Sequence, residues 1–200
     1  VLGDRIEAAT YLIAGAASGG SVCAKGIEQE GIASTLEILK KAGCRVVSSD
    51  DSVCVSAPEK LRAVSFSTNP FPDVATDVQP LLMALLTKAS GESVIQETVF
   101  ENRFGHVAEF RRFGAAISLD GRFARVRGVQ ELSGAPVEGA DIRAAASLVI
   151  MGLSAEGRTE IQGLHHLDRG YESFVEKFRS LGAQIVRIPQ IHHKEVVFGC

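Results

Sequence analysis

The runs that follow Asp4, Asp77 and Asp141 are rich in Ala, Leu and Ile. Two of them, "LLMALL" and "AAASLVIMGL", have no wide polar face. A helix patterned this way is expected to be buried on all sides. Each run ends near a glycine, Gly19, Gly91 or Gly157, and the Asp-to-Gly distances are 15, 14 and 16 residues. A second stretch of helical periodicity then ends at Gly43, Gly114 or Gly182, closing glycines that lie 71 and 68 residues apart. In the third copy the apolar positions of this stretch are Phe174, Val175, Phe178 and Leu181, the spacing of an amphipathic helix. The closing glycines suit left-handed C-caps.

Between the two helices the pattern predicts strands at residues 21–24, 93–98 and 158–164. After the second helix it predicts paired strands at 45–48 with 53–56 and at 115–119 with 123–126. Asp120-Gly121 is the turn signal of the latter pair. In the third copy residues 184–188 and 195–198 are the corresponding strands. The first aspartates suit helix N-caps, and Asp4 with Glu7 and Thr76 with Gln79 have the spacing of a capping box. Self-similarity at about 70 residues exceeds the period of most solenoids. The expected architecture is α/β: three β-α-β-α-β-β units in an inside-out barrel, helices central and sheets outside. Residues 1–200 then form one domain, with repeats at about 4–70, 71–135 and 136–200.

Charge narrows the function classes. The 200 residues carry 21 Lys+Arg against 24 Asp+Glu, a formal net charge of -3, which argues against a nucleic-acid partner. No apolar run approaches the ~20 residues a membrane helix needs, and Asp4, Arg5 and Glu7 interrupt any signal peptide. The expectation is a cytoplasmic protein with no membrane partner. Its four cysteines, Cys23, Cys44, Cys54 and Cys200, form no CxxC pair and read as reduced, mostly core residues. Val1 stands where an initiator Met is expected, which reads as a processed or excised fragment.

Candidate chemistry sits where the repeat symmetry breaks. Twelve residues beyond Gly91 and Gly157 stand Arg103 and Arg169, whereas the same step from Gly19 reaches Gly31. Arg143 lies beside Asp141 at the start of a first helix. Arginine near a helix N-terminus opposes the helix dipole but suits an anion site. The alternative is that each arginine pairs with a local acid, Glu101, Asp141 or Asp168. Asp77 also has two readings, a helix cap or a base for a nearby hydroxyl. Val99 offers a polar ligand only its backbone. The adjacent pairs His165-His166 and His192-His193 face opposite sides of a strand and chelate poorly, His106 falls in a second helix, and no metal site is expected. No GxGxxG, Walker loop or GxSxG is present.

The strings "FPDVATDVQPLL", "ETVFENRFGHVAE", "LSGAPVEGADIRAAASLVI" and "HHLDRGYE" resemble the C-terminal half of the UDP-N-acetylglucosamine 1-carboxyvinyltransferases, a family of enolpyruvyl transferases. The resemblance runs from Gly3 to about Val186. It implies two domains of three repeats each, and transfer of enolpyruvyl from phosphoenolpyruvate to the 3-hydroxyl of UDP-N-acetylglucosamine, with no cofactor. It further implies that Asp77 contacts that hydroxyl as its proposed base, that the Val99 backbone contacts the nucleotide sugar, and that Arg169 binds phosphoenolpyruvate. Arg103 and Arg143 would be further arginines of the interdomain cleft, with Glu101 and Asp141 as acidic neighbours. The family's N-terminal half, with its Lys-Asn pair, phosphate-binding arginine and proton-donor loop, has no counterpart here, so this chain alone is expected to be inactive. "FPDVATD" is longer than the common "FPTD" form, and the tail from His192 matches no motif. The rival readings are the relative that acts on shikimate 3-phosphate and a non-catalytic repeat domain used for binding.

Overall fold

Three helices, α1 (Arg5–Ala17), α3 (Gln79–Leu86) and α5 (Ile142–Ser154), pack against one another in every pairing and form the centre of a computed structural model that describes residues 3–188. Their composition requires this. All eight residues of α3 are buried, as are all but Arg5 and Glu7 of α1 and the run from Ala144 to Met151 of α5. A helix without a polar face has no side to turn to water, so it must be wrapped.

The second copy is complete: β4 (Phe66–Ser67), α3, β5 (Glu92–Gln96), α4 (Val107–Arg112), β6 (Ala116–Asp120) and β7 (Phe123–Arg127). Its sheet runs β4-β5-β7-β6, with β4 parallel to β5 and the other pairs antiparallel. The first copy supplies β1 (Ser21–Lys25), α2 (Ala33–Lys41), β2 (Arg45–Ser49) and β3 (Ser52–Ser56), in a sheet ordered β1-β3-β2. The third supplies β8 (Pro136–Glu138) parallel to β9 (Glu160–Gln162), then α6 (Phe174–Ser180). Period-2 burial aims Val53 and Val55 of β3, and Ala124 and Val126 of β7, inward. Sheets thus lie against the central helices from outside.

Equivalent hydrogen bonds stitch each copy to the next. Ser90 N–H donates to the Leu61 carbonyl and Glu156 N–H to the Leu132 carbonyl, both at 2.8 Å. The central helices run the same way. Their C-terminal ends line one cleft of about 680 Å³, where Ala16, Ala17, Lys88, Ala89, Leu153 and Ser154 meet. There the Lys88 ammonium donates to the Ser154 carbonyl at 3.3 Å, placing a cation at the negative end of α5.

Several expectations need correction. Residues 184–188 form no strand. A strand is defined by its neighbour's hydrogen bonds, and among the described residues none runs alongside. Residues 195–198, the His192-His193 pair and Cys200 lie outside the described residues. Leu181 does not join the apolar face of α6 but is 49% exposed, beyond the last turn. Cys23 and Cys54 are not separate reduced core thiols. They face each other across the β1–β3 ladder on its outward side and are joined as a disulfide. Cys44 is buried and free, and burial pushes its thiol up to about 11. His165 and His166 lie in a 3-10 turn (Leu164–Arg169), not a strand, with ring centroids 4.0 Å apart.

The closing glycines Gly43, Gly114 and Gly182 have φ of 99°, 88° and 94°, the left-handed C-cap their spacing predicts. Gly128 is needed for a different reason: a Cβ there would lie 1.6 Å from the Ala89 carbonyl oxygen. Gly128→Ala is expected to lose about 3 kcal/mol or more, roughly 10 °C in Tm. Gly105→Ala, whose Cβ meets nothing within 4 Å, should leave the thermal unfolding midpoint almost unmoved.

His106, the residue before α4, is 6% exposed and stacks edge-on against Phe110. Burial, reinforced by the Arg103 charge, lowers its pKa to about 4, against weaker opposing effects of Asp141 and a hydrogen bond to the Arg103 backbone. The unfolded chain takes up this proton near pH 6.5. His106 burial is therefore fully compatible with folding above that pH and erodes stability as pH falls from 6.5 towards 4. Urea titrations at pH 7, 5.5 and 4.5 should show a smaller acid loss for His106→Gln than for the parent chain.

Candidate active site

The helix ends opposite the Lys88 cleft gather the charged groups. Asp4 and Asp141 behave as the repeat predicts. Asp4 Oδ1 accepts from the N–H of Ile6 (2.7 Å) and Glu7 (3.1 Å). Asp141 Oδ1 accepts from the N–H of Arg143 (2.7 Å) and Ala144 (2.8 Å). Each carboxylate thus caps its helix through residues two and three positions on. The Glu7 carboxylate accepts from the Lys177 ammonium at 2.7 Å, so the capping box at Asp4 is made on one side only.

Asp77 breaks the pattern, and the cap reading fails for it. Its third residue onward is Pro80, which has no N–H to give. The capping position of α3 is Val78, and no side chain caps it. The Thr76–Gln79 capping box is not made either: the Thr76 hydroxyl donates to Glu97 Oε2 at 3.0 Å, and the buried Gln79 side-chain amide reaches no hydrogen-bond partner among the described residues. Freed from the helix, the Asp77 carboxylate accepts from Arg103 Nη2 at Oδ1 and from Arg143 Nη2 at Oδ2, both at 3.3 Å. Arg103 Nη1 also reaches Asp141 Oδ2 at 3.6 Å. Asp77, Arg103, Arg143 and Asp141 therefore form one cluster, drawn from two copies of the repeat.

The exposure of these groups differs in a useful way. The Arg103 and Arg143 side chains are 18% and 17% exposed, while that of Asp77 is 43% exposed. A carboxylate offers about four lone-pair directions. Two are taken by the guanidiniums, and the open side of Asp77 can accept from a hydroxyl brought to it.

The pairing of arginines with local acids is likewise not what the molecule does. Glu101 pairs with Arg122 at 3.4 Å and its side chain is 85% exposed, so it braces the loop after β5 from outside the cluster. Asp168 takes both ends of Arg187, at 2.7 and 2.6 Å, and that hydrogen bonding holds its carboxyl below the usual range. Arg169 is exposed, and among the described residues no carboxylate lies within ion-pair reach of it. Its turn packs on the start of α5, where Gly170 meets the Ile142 side chain.

Val99 sits on the loop that carries Arg103. Its N–H donates to Glu97 Oε1 at 2.8 Å, as does that of Phe100 at 3.1 Å. The carbonyl of Val99 is therefore the backbone group left to meet a ligand. Glu97, which the periodicity did not single out, is fully buried and also accepts from the Thr68 hydroxyl at 2.7 Å. It fixes this loop against residues 68–76. The extra length of "FPDVATD" folds into a short turn in which Thr68 bridges Val74, with Phe71 beneath the Arg5 guanidinium at 5.1 Å.

Tyr171 also joins the cluster, through Arg143. Its hydroxyl lies 2.8 Å from the Thr10 hydroxyl and receives Arg143 Nη1 at 3.3 Å. Burial raises its pKa, against the opposing effects of its hydrogen bond with Thr10 and the charge of Arg143. The contact spans 161 residues of chain, so no local signal could reveal it. The position of Tyr171 two residues beyond Arg169 was the available hint.

Residues 1–178 match the family model described as EPSP synthase (3-phosphoshikimate 1-carboxyvinyltransferase). The chain is similar to the UDP-N-acetylglucosamine 1-carboxyvinyltransferase of Anaeromyxobacter sp., 49% identical over 187 residues, which are 94% of this chain and 44% of that protein. It is similar to the protein of the same name from Geotalea uraniireducens, 45% identical over 95% of this chain and 46% of that one. Among solved structures, the enolpyruvyl transferase NikO from Streptomyces tendae superposes with a TM-score of 0.82 at 33% identity, covering 92% of this chain and 44% of NikO. EPSP synthase from Acinetobacter baumannii shares the fold, with a TM-score of 0.79 at 18% identity over 95% of this chain and 48% of that one. The chain spans about half the length of the curated relatives it matches. It belongs to the EPSP synthase family of enolpyruvyl transferases.

Proposed function

We propose that this chain is the C-terminal half of an enzyme that moves the enolpyruvyl group of phosphoenolpyruvate to the 3-hydroxyl of UDP-N-acetylglucosamine and releases phosphate. That reaction serves peptidoglycan synthesis. The supporting observation is the Asp77 carboxylate, detached from its helix and held half-exposed between Arg103 and Arg143. The names of relatives 45–49% identical to it favour this acceptor.

In this scheme Asp77 accepts the proton of the sugar hydroxyl as its oxygen attacks C2 of phosphoenolpyruvate and C3 gains a proton. Loss of that C3 proton with departure of phosphate then restores the double bond. Arg103 and Arg143 hold the carboxylate in place, so that little reorganisation is needed at the moment of transfer. Arg169, free of Asp168, is the cation offered to phosphoenolpyruvate, and the Val99 carbonyl accepts from the nucleotide sugar. Asp141 and Glu101 support, the first by flanking Arg103 and the second by bracing the loop. A partner half would close over the open side of Asp77, exclude water and bring the proton donor. No metal or cofactor enters the scheme. Both substrates are multiply charged and do not cross bilayers unaided, which favours the cytoplasm as the place of action.

The family model's description favours a second acceptor, shikimate 3-phosphate. Phosphate release by the complete protein, measured with each acceptor and phosphoenolpyruvate, separates the two. Turnover is expected with UDP-N-acetylglucosamine and not with shikimate 3-phosphate, and none above background for residues 1–200 alone. Consumption of shikimate 3-phosphate, or brisk turnover by the isolated chain, would refute the reading. In the complete protein Asp77→Asn should cut kcat by roughly 10²–10⁴-fold with Tm nearly unchanged. Unfolding without a separate kinetic defect would return Asp77 to a structural role. Arg169→Ala should raise the KM for phosphoenolpyruvate by about tenfold or more, and an unaltered KM would remove Arg169 from the site.

A further inference from the structure

Arg143 has two carboxylates within its reach in sequence and space, yet its guanidinium bonds only one of them. Asp141, two residues away, is occupied by backbone N–H groups and by Arg103. The guanidinium is instead stretched between Asp77 Oδ2 and the Tyr171 hydroxyl, at 3.3 Å each. Its carbon also lies 5.9 Å from the Tyr171 ring centroid, within reach of a cation–π contact.

Counting hydrogens fixes the direction of this chain. Arginine can only donate, so Nη1–H donates to the Tyr171 oxygen. The Thr10 hydroxyl donates its single proton to the Ile6 carbonyl at 2.8 Å. The Tyr171 hydroxyl must then donate to Thr10 Oγ1 at 2.8 Å. The result is a one-way series, Arg143 to Tyr171 to Thr10 to the Ile6 carbonyl, that ends on the backbone of α1. Thr10 is fully buried and Tyr171 is 4% exposed, so neither hydroxyl has water as an easy substitute. The Tyr171 ring is itself seated edge-on against Phe174, 4.9 Å between centroids.

We infer that Tyr171 is a positioning residue: it ties Arg143 to α1 and so sets the side from which the Arg143 guanidinium meets Asp77. The inference rests on the enolpyruvyl-transfer reading only for its kinetic consequence. Without the hydroxyl, Nη1 has no acceptor on that side and the guanidinium is free to turn towards Asp141. The aromatic ring, by contrast, serves packing and survives replacement by Phe.

Two measurements test this. On the 200-residue chain labelled with ¹⁵N-arginine, the Arg143 side-chain signals, assigned through Arg143→Lys, should show hindered rotation about the guanidinium bonds. Tyr171→Phe should release that rotation, Thr10→Val should release it in part, and Thr10→Ser should restore what Thr10→Val loses. Arg143 signals unchanged in Tyr171→Phe overturn the inference whether or not the enzyme reading stands. In the complete protein, Tyr171→Phe should lower kcat/KM about tenfold or more while Tm stays within roughly 3 °C. A loss of Tm with kcat and KM both preserved would make Tyr171 merely structural and also overturn it. A parent protein without turnover refutes the proposed function instead, and the arginine signals then decide this inference alone.

Discussion

Everything in this fold follows from three helices that have no polar side. Leu12, Ile13, Leu81, Leu82, Leu85, Leu86, Leu148 and Ile150 are at or near complete burial. Each such side chain favours burial by about 1.5–3 kcal/mol over exposure. No single sheet can cover a helix all round, so α1, α3 and α5 cover one another and three sheets close over the remainder. The direction of the chain is the same in every copy. The helices therefore start at one pole and end at the other, and their dipoles add. The ends of the three helices meet Lys88 at the negative pole. The positive pole collects Asp4, Asp77 and Asp141 and is the natural place for anions to arrive.

Within that pole the three aspartates have unequal employment. Asp4 and Asp141 are consumed by backbone N–H groups and by the stability of their helices. Asp77 is not, and it is the one that two guanidiniums approach. Glu97 and Tyr171 make this arrangement stiff. The first anchors the loop that delivers Val99 and Arg103, and the second anchors Arg143 through α1. A site built across copies inherits its precision from contacts between copies, and those contacts are buried.

How much of this could be read from the residues alone follows the range of each interaction. The helices, the left-handed closing glycines and most strands were legible because each depends on neighbours a few positions away. Residues 184–188 misled for the opposite reason: their pattern fits a strand, but pairing is a property of two segments. The reduced state assigned to Cys23 and Cys54 failed in the same way, since only the β1–β3 register brings the two opposite each other. Family strings located Asp77, Arg103 and Arg143 but not the fact that one carboxylate receives both arginines. Glu101 and Asp168 sit beside arginines in sequence and bond to others in space, Arg122 and Arg187.

Pro80 shows how little separates a helix cap from an unclaimed carboxylate. Each unit opens its central helix with an aspartate, and in two of them the residue three positions on returns an N–H. In the remaining unit that residue is an imino acid with no hydrogen to give. The carboxylate there keeps its lone pairs for side chains, one of them from the neighbouring unit. A single hydrogen withheld inside one unit thus becomes a bond between two.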